Sequence, residues 1–454
     1  MLASGVGRFG RRAWLELGLA EELLEAVGRP DPSPYLPSRL AVGELACDSV
    51  ALSALALNLA AADRAGTGGP EPVALDGVRV ATSFQSERHL RVDGERPDVW
   101  SPLSGFFKTA DGWVRTHANY PHHGRALRAL LGASDTAAKD DVARLIAERG
   151  AKELEDKAAE AGAIVFAVRS AQEWREHPHA RALAGTPLVR ARIRAEGPPR
   201  PWRGDGGLPL SGVRVLDLTR VIAGPVATRD LAFAGADVLR LDSPHLPEFP
   251  WQHLDTGHGK RSALLDLRSR AGRAALDDLL KRADAVVTGY RPGALAPYGL
   301  APDDLLDRFP GLVVGTVSAW GDTGPWAGRR GFDSIVQAVS GIALIESPDG
   351  VTPGALPAQA LDHAAGHLLA AALTTSLTRS RTAHVSLSLA RLALELLAHP
   401  AQPTTPATQP PPTTQTFPLA SGPLTTPLPA FTYAHGPSTH PSPAPWSTAT
   451  PTWL

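Results

Sequence analysis

Short apolar runs alternate with amphipathic segments between residues 210 and 318. The apolar runs predict strands at residues 213–218, 236–241, 285–287 and 312–317. The amphipathic segments between them predict helices at 225–233, 270–282 and 302–309. Strands that alternate with helices are typical of βαβ units. We therefore predict an α/β fold with a Rossmann-like parallel sheet and helices on both faces, which binds its ligand at the carboxyl ends of the strands.

The first 190 residues have a less regular pattern. A long apolar segment at residues 45–62 predicts a helix, and residues 78–81 predict a short strand. Residues 106–115 predict a hairpin, because Asp111 and Gly112 supply its turn. Helical patterns follow at 124–131, 140–148 and 153–161. We interpret residues 105–194 as a small α+β domain.

Changes in composition divide the chain further. The Gly- and Pro-rich segment 195–209 predicts a linker between domains. The predicted division is an N-terminal helical segment (1–104), the small α+β domain (105–194), the linker (195–209), a large Rossmann-like domain (210–398) and a tail (399–454).

The tail has a distinct composition. After Glu395 the sequence contains no Asp, Glu, Lys or Arg, and it is rich in Pro and Thr to its end. Proline removes backbone donors and interrupts helices and strands. We predict an extended or disordered tail, parts of which are attached to the body by Phe431, Tyr433, Trp446 and Trp453.

Composition and charge exclude several classes of protein. Among 454 residues, 45 Lys and Arg balance 46 Asp and Glu, which disfavours a nucleic-acid-binding protein. A single cysteine, Cys47, excludes a disulfide framework and a multi-cysteine metal site, and fits a reducing compartment. No apolar run reaches the ~20 residues of a membrane span, and the first 25 residues do not resemble an export signal. We predict a cytoplasmic protein without nucleic-acid or membrane partners.

Two segments of the chain resemble each other. Each has one Asp, Asp48 or Asp362, at the head of an Ala- and Leu-rich helical pattern with a basic residue near its end. One interpretation is an internal repeat. The other is that such helices resemble one another by composition, because Asp is a common N-cap residue.

Asp362 is the main candidate for catalysis. A carboxylate at a helix start is stabilised by free backbone N–H groups and by the helix dipole. The same amides can hold the oxyanion that develops when a carboxylate attacks a carbonyl group. A plain N-cap is the alternative interpretation.

Basic residues occur in predicted turns of the large domain, namely at Arg220, Lys260 and Arg261, Arg291, and Arg329 and Arg330. Arginine forms paired hydrogen bonds with phosphate oxygens, so these turns are candidates to bind a phosphate-rich ligand. Ordinary surface charge is the alternative for each residue alone. The first predicted βα turn lacks the G-x-G-x-x-G spacing of a dinucleotide site.

Histidines cluster at His117, His122, His123, His177 and His179. They have no carboxylate or cysteine partners at the spacing of metal ligands, so we predict surface histidines and no metal site.

Residues 210–397 resemble the family III CoA-transferases of the CaiB/BaiF type through a series of short motifs in the family's order. These motifs are residues 210–225 (LSGVRVLDLTRVIAGP), 235–238 (GADV), 259–262 (GKRS), 265–267 (LDL), 290–295 (YRPGAL), 318–325 (SAWGDTGP), 331–333 (GFD), 337–341 (QAVSG) and 360–366 (ALDHAAG). Each motif alone is modest, and it is their shared order that identifies the family.

The resemblance implies an activity and a set of site residues. Asp362 inherits the role of the nucleophile that attacks an acyl-CoA thioester, and a carboxylic acid finally accepts the CoA. The resemblance implies CoA or acyl-CoA as substrate, no permanently bound cofactor and a homodimer. The implied ligand-binding residues are Arg220, Val221, Ala223, Gly224, Lys260, Arg261, Gly289, Tyr290, Arg291 and Asp333.

The chain departs from the family pattern in three ways. The small domain, with landmarks at 111–114 and 168–174, precedes the large one, as if the back half of one copy were followed by the front half of another; Asp48 would then be structural. The family's Gly-rich lid loop is not evident in the small domain. The Thr-Gly-x-Gly stretch that usually follows the nucleophile helix is replaced by residues 380–384 (SRTAH).

Three functions remain open besides a distant nicotinamide oxidoreductase. The first is a CoA-transferase that acts through Asp362. The second is a CoA-ester racemase, which the resemblance disfavours because Phe332 occupies the position of the racemases' histidine. The third is a non-catalytic acyl-CoA-binding paralogue.

Overall fold

The structure, a computed structural model, describes residues 5–28, 35–197, 207–401 and 410–454. Its α-helices are α1 (Arg8–Glu16), α2 (Val42–Ala65), α3 (Gly77–Phe84), α4 (Ser86–His89), α5 (Pro121–Leu131), α6 (Lys139–Ala147), α7 (Ala151–Ala161), α8 (Ala171–Glu176), α9 (Pro178–Ala184), α10 (Ala223–Phe233), α11 (Pro250–Thr256), α12 (Arg270–Leu280), α13 (Pro302–Arg308), α14 (Asp333–Ser340), α15 (Ile342–Ile345), α16 (Ala360–Thr378) and α17 (Leu389–Leu397). Short 3₁₀ helices cover Glu21–Ala26 and Ala296–Tyr298.

The strands form three sheets. They are β1 (Arg91–Val92), β2 (Gly105–Lys108), β3 (Trp113–Thr116), β4 (Val165–Ala167), β5 (Arg190–Glu196), β6 (Arg214–Leu218), β7 (Asp237–Asp242), β8 (Lys260–Leu264), β9 (Ala285–Thr288), β10 (Val313–Ser318), β11 (Arg381–Ser388), β12 (Thr414–Leu419) and β13 (Gly422–Pro427).

The largest sheet has the order β5-β11-β10-β9-β6-β7-β8. All its neighbouring strands are parallel except β5, which runs antiparallel to β11. Successive side chains along each strand point to opposite faces of the sheet, and both faces are buried. Val215 and Val313 join the core that contains α10 and α16, whereas Leu216 and Val314 join the core that contains α12 and α13. The predicted Rossmann-like α/β sheet is confirmed.

A second sheet, β2-β3-β4, packs with α5, α6 and α7. β2 and β3 form the predicted hairpin around Asp111 and Gly112. The chain then enters the large sheet through β5. This strand spans the predicted boundary between the small domain (105–194) and the linker (195–209). Most of the predicted linker lies outside the described residues, and the division into five parts stays a prediction.

The predicted strand at residues 78–81 is wrong, because these residues belong to α3. The Asp76 side chain caps this helix by accepting hydrogen bonds from the N–H groups of Val78 and Arg79. Val80, Ala81 and Phe84 then lie on its buried face. A favourable N-cap and helical burial outweigh the weak strand preference of the two valines.

The two helices of the possible repeat, α2 and α16, pack directly against each other in the core. Among the described residues, α2 alone is long and apolar enough to cross a membrane, and 89% of its most apolar stretch is buried. It therefore has the burial of a core helix.

The tail is extended and attached to the body over much of its described length. β12 and β13 form a hairpin that adds to β1, so the tail contains strands that its proline content did not predict. The four predicted aromatic anchors all contact the body. Tyr433 Oη donates to Phe233 O, Trp446 Nε1 donates to Asp242 Oδ2, Trp453 Nε1 donates to Leu279 O, and the Phe431 ring packs against Phe233.

Candidate active site

Asp362 lies in the first turn of α16, at the end of the helix that faces the carboxyl edge of the large sheet. Its side chain lines a cavity of about 40 Å³ together with residues of both sequence halves. The residue is only 7% exposed, and no other side chain in the described part of the chain hydrogen-bonds its carboxyl group. The carboxyl group is therefore buried, desolvated and directed to a cavity.

A chain of hydrogen bonds supports the start of α16. The Asp362 N–H donates to Asp333 Oδ2 at 2.9 Å, and Gln337 Nε2 donates to Asp333 Oδ1 at 2.5 Å. Gln337 Oε1 in turn accepts the N–H of Leu356 at 2.8 Å. The Asp333 carboxyl thus caps the N-terminus of α16. Gln359, the N-cap residue of α16, makes no capping hydrogen bond through its side chain.

The turn between β6 and α10 reaches the same cavity. Val221 and Ile222 line it, and Val221 has φ of +73°, which is costly for a β-branched residue. The turn can approach because α16 packs closely on α10: a Cβ on Gly366 would lie 2.6 Å from the carbonyl oxygen of Ala223. A strained turn and a glycine contact together hold this segment beside α16.

A segment of the first half of the chain, residues 99–120, forms the opposite wall. Trp100, His117, Asn119 and Tyr120 line the cavity. The His117 ring stacks on Phe332, one residue before Asp333, with ring centroids 3.6 Å apart and the planes inclined by 4°. One chain therefore supplies both walls of this cavity.

Burial dominates the electrostatics of the cavity. Desolvation, followed by the charge of Asp333, raises the pKa of Asp362 well above its usual range. Desolvation also raises the pKa of Asp333 to about 6, and that of Glu87, another lining residue, to about 7. Desolvation lowers the pKa of His117 well below its usual value. Burial therefore disfavours the charged form of the His117 imidazole and of the Asp362 carboxyl group.

A larger cavity of about 230 Å³ lies at the carboxyl ends of β9, β10 and β11, beside the start of α13. Tyr290 and Arg291, two of the predicted ligand-binding residues, line it. The His384 ring forms a hydrogen bond with Thr316 Oγ1 in its wall, with the nitrogen and oxygen 2.8 Å apart. The edge of the sheet thus offers a larger cavity, with both polar and apolar walls, in addition to the small one at Asp362.

Two predicted ligand-binding residues are not where we expected. Lys260 and Arg261 lie in the strand β8 and not in a turn. Lys260 is 2% exposed, and its Nζ donates to Asp217 Oδ2 at 3.0 Å and to Thr228 Oγ1 at 2.6 Å. Arg261 pairs with Asp237 and donates to Thr452 O of the tail. Protein partners that are distant in sequence account for both cations, and these partners are buried in the case of Lys260. We do not retain the two residues as phosphate ligands.

The other predicted residues lie closer to the sheet edge. Arg220 donates to Pro247 O at 3.0 Å, pairs with Glu248 and stacks over the ring of Tyr120. Arg291 is exposed. Burial lowers the pKa of Arg330, and the positive charge of Arg291 lowers it further. Ala223 and Gly224 begin α10, and Gly289 follows β9. Asp333, which we expected to bind the ligand, lines the small cavity and also contacts the backbone of Asp362.

The histidines were predicted on the surface, and this prediction is wrong for His117, His123 and His179, which are 5%, 6% and 0% exposed. Their burial follows from aromatic stacking between segments far apart in sequence, which spacing does not reveal. Glu87 and Trp251 are cavity residues that sequence reasoning also missed. Within the described ranges, no group of three or more His, Cys, Asp or Glu side chains is arranged to hold a metal ion.

Asp48, the counterpart of Asp362 on α2, has a different environment. Its carboxylate oxygens accept hydrogen bonds from the N–H groups of Gly7 and Gly10, at 2.7 and 2.8 Å. It therefore caps the start of α1 and lines neither of the two cavities described above.

Comparison with known proteins agrees with the sequence motifs. Residues 210–424 match CoA-transferase family III. The chain is 34% identical over 183 residues to a probable fatty acyl-CoA transferase of Mycobacterium tuberculosis, covering 37% of this chain and 46% of that protein. It is 34% identical over 161 residues to human succinyl-CoA:glutarate CoA-transferase, covering 32% and 37%. The chain thus spans less than half the length of these curated relatives.

Among solved structures, the chain is similar to the Mycobacterium tuberculosis protein Rv3272, with 33% identity and a TM-score of 0.40 over 42% of this chain and 58% of that one. A CaiB/BaiF family protein from Brucella suis is 26% identical, with a TM-score of 0.38 over 42% and 56%. On the sequence match and the shared order of the motifs, residues 210–424 are similar to CoA-transferase family III, over slightly less than half of the chain.

Proposed function

We propose that this chain transfers coenzyme A from an acyl-CoA thioester to a carboxylic acid, with Asp362 as the nucleophile. The observation that carries the proposal is the position of the Asp362 carboxyl group: it lines a cavity, it accepts no side-chain hydrogen bond in the described part of the chain, and it lies at a helix start within the family III segment. Backbone N–H groups at that helix start favour negative charge on the attacking carboxylate.

The reaction follows from carboxylate chemistry. The Asp362 carboxylate attacks the thioester carbonyl, the C–S bond breaks, and an acyl–aspartyl anhydride and CoA thiolate result. The thiolate attacks the aspartyl carbonyl, which releases the first acid and leaves an aspartyl-CoA thioester. The acceptor acid attacks this thioester, a second anhydride forms, and thiolate attack on its acyl carbonyl yields the new acyl-CoA.

The edge of the sheet offers positive charge for the nucleotide part of CoA. Arg291 and Arg330 are exposed, and burial followed by the charge of Arg291 lowers the pKa of Arg330. Arginine suits phosphate through charge and paired hydrogen bonds. Tyr290, beside Arg291 in the wall of the larger cavity, is our candidate to contact the adenine ring.

The site must open before the substrate binds. About 40 Å³ is room for only a few water molecules, far less than a pantetheine arm needs. Trp100 and the segment with Phe249 and Trp251 form part of the cavity wall. We expect these groups to separate from α16 when the thioester enters, and their return to exclude water from the reactive anhydride.

The names of the curated relatives suggest which acyl groups to test as substrates. Curated relatives act on succinyl-CoA with glutarate or with L-malate, and one is a probable fatty acyl-CoA transferase. We therefore propose short dicarboxylic acids and fatty acids as the first donor and acceptor classes to screen.

Hydroxylamine trapping tests the proposal. The wild-type protein, incubated with an acyl-CoA panel and hydroxylamine, should acquire a hydroxamate on Asp362 that mass spectrometry locates, and Asp362→Asn should acquire none. Asp349→Asn, in an exposed loop, is the matched control. If CoA binds by calorimetry but neither trapping nor exchange occurs with any acid pair, the chain is a non-catalytic acyl-CoA-binding protein and the proposal is wrong.

A CoA-ester racemase is the second candidate. The observation that favours it is the His117 ring stacked on Phe332, which brings an imidazole beside the position of the racemases' histidine. This function predicts exchange of the substrate α-proton with solvent deuterium, without transfer of CoA to an added acid. Mass spectrometry of a 2-methylacyl-CoA ester incubated in D₂O separates the two functions.

A further inference from the structure

We propose that the acyl group transferred by this chain is uncharged and carries an aromatic ring, and that short dicarboxylic acids are poor substrates. The inference rests on the proposed function, because it names the substrate class of the same site. It is carried by the side chains around the Asp362 carboxyl group, beside which the acyl group lies when it is transferred.

Aromatic rings from three separate segments form a large part of the wall of the small cavity. Six ring side chains line it, namely Trp100, His117, Tyr120, Phe249, Trp251 and Phe332. Some of them already pair with one another. The centroids of His117 and Phe332 are 3.6 Å apart, and those of Tyr120 and Phe249 are 4.9 Å apart. Such a wall offers an aryl group the offset-stacked and edge-to-face contacts that a linear chain cannot make.

The same wall lacks a partner for an anionic acyl group. Among the described residues that line the cavity there is no Lys or Arg, whereas Glu87, Asp333 and Asp362 are acidic. The terminal carboxylate of a dicarboxylic acyl group would therefore be buried beside acids and without a cation. Burial of an unpaired charge is costly, so the wall discriminates against such a substrate.

Two cations adjoin lining residues in the sequence, and both have partners. Arg220 donates to Pro247 O at 3.0 Å and pairs with Glu248 at 3.3 Å. The Glu248 side chain is 1% exposed, so removal of Arg220 would leave a buried acid with one cation fewer. Arg88 Nε lies 3.8 Å from Glu87 Oε1.

A third cation, Arg115, lies over the rings of Trp100 and Phe106, at 5.3 and 4.9 Å from their centroids. Arg115 does not line the cavity, and the Trp100 ring that it covers does. The group that an entering substrate meets on this side is therefore an aromatic ring and not a guanidinium group.

The acids of the wall do not favour a cationic acyl group either. The Asp333 oxygens accept hydrogen bonds from the Asp362 N–H and from Gln337 Nε2. Desolvation favours the neutral forms of both acids, raising the pKa of Asp333 to about 6 and that of Glu87 to about 7. Both groups are thereby weakened as counterions for a buried ammonium group.

Opening of the site enlarges the space between these side chains without changing their chemistry. When Trp100, Phe249 and Trp251 separate from α16, the acyl group enters between their rings and the Asp362 carboxyl group. Phe332 directly precedes Asp333, which accepts the Asp362 N–H at 2.9 Å. An aromatic ring is thus joined through Asp333 to the nucleophile's own side of the site.

A comparison of acyl-CoA esters tests the proposal. In the presence of hydroxylamine, kcat/KM for CoA release should be about 100-fold higher with 3-phenylpropanoyl-CoA than with succinyl-CoA. It should be about fivefold higher than with hexanoyl-CoA, because of the ring contacts. A preference over succinyl-CoA of less than about tenfold would overturn the exclusion of dicarboxylic acids. Hexanoyl-CoA as fast as the phenyl ester would overturn the role of the rings, and a faster ester with a quaternary ammonium group would show that the acyl group is charged.

Substitutions of Trp251 separate the loss of a ring from the gain of a charge. Trp251→Arg should raise kcat/KM for succinyl-CoA about tenfold and lower it for the phenyl ester. Trp251→Gln should lower it for the phenyl ester without a gain for succinyl-CoA. If Trp251→Arg does not fold, Phe249→Arg is measured with the same expectation. Val351→Arg adds the same charge at a residue that is 72% exposed, and it should change neither constant.

The outcomes distinguish this inference from the proposed function. Absence of a hydroxamate on Asp362 with every ester would overturn the proposed function itself. A hydroxamate that forms as fast from succinyl-CoA as from the phenyl ester would leave that function in place and overturn the acyl class. A folded arginine variant that gains nothing with succinyl-CoA would show that these rings do not surround the acyl group, and would also overturn the inference.

Discussion

The backbone N–H of Asp362 donates a 2.9 Å hydrogen bond to the carboxyl group of Asp333, so the proposed nucleophile and its cap are two adjacent acidic residues in a desolvated site. Asp333 aligns the start of α16, and its charge also opposes ionisation of Asp362. The same residue therefore positions the proposed nucleophile and opposes the loss of its proton.

Replacement of Asp333 by Asn separates these two effects. The amide oxygen can still accept the Asp362 N–H, but the negative charge is lost, so the pKa of Asp362 should fall towards its usual range. The acid limb of the pH profile for trapping at Asp362 should move to lower pH. If the acid limb of Asp333→Asn lies at the same pH as that of the wild type, burial alone raises the pKa of Asp362.

Gly366 holds α16 against α10, and Gly366→Ala tests this contact. A Cβ would lie 2.6 Å from Ala223 O and 2.7 Å from Val226 Cβ, so the helices must separate. Glycine to alanine inside a helix normally stabilises by about 0.5–1 kcal/mol. Here we expect destabilisation by about 1–3 kcal/mol, measured by chemical denaturation, together with slower trapping at Asp362. Gly328→Ala, which has open space around it, is the control and should not destabilise.

The parallel sheet could be predicted because its strands are continuous apolar runs, buried on both faces. The prediction failed where a long-range partner decides the structure. Lys260 looked like a turn residue, but its charge is neutralised by Asp217 from a different strand. β5 was missed because it is a mostly exposed edge strand with three arginines, whose pairing with β11 is its main attachment.

The candidate site shows the same limit. Asp362 could be identified because a carboxylate at the start of an apolar helix is a local feature of the sequence. His117 could not, because its burial depends on Phe332, which lies 215 residues later. A local pattern reveals a helix start, whereas a wall built by two domains is visible only when the chain is folded.

The attachment of the tail depends on Trp453. Its ring is 8% exposed in the core beside α12, and its Nε1 donates to Leu279 O. Trp453→Ala should release the end of the tail, since a buried Trp to Ala change costs about 3–5 kcal/mol. Limited proteolysis followed by mass spectrometry should show faster cleavage between residues 428 and 454. Leu454→Ala, 85% exposed, should leave the cleavage rate unchanged, and equal rates in all three proteins would contradict the attachment.

Asp48 should make stability depend on pH. Burial raises its pKa to about 7, from an unfolded value near 3.9, so the folded state binds the proton more tightly. Its contribution is complete below about pH 4 and is lost as pH rises through 7, by up to about 4 kcal/mol in all.

Asp48→Asn cannot titrate and offers one acceptor oxygen to the two N–H groups of Gly7 and Gly10. It should be less stable than wild type at pH 5, and the difference in Tm should shrink or reverse by pH 8. Glu160→Gln, on the exposed surface of α7, should track wild type at every pH. A constant difference between Asp48→Asn and wild type from pH 5 to 8 would mean that Asp48 is already ionised in the folded chain.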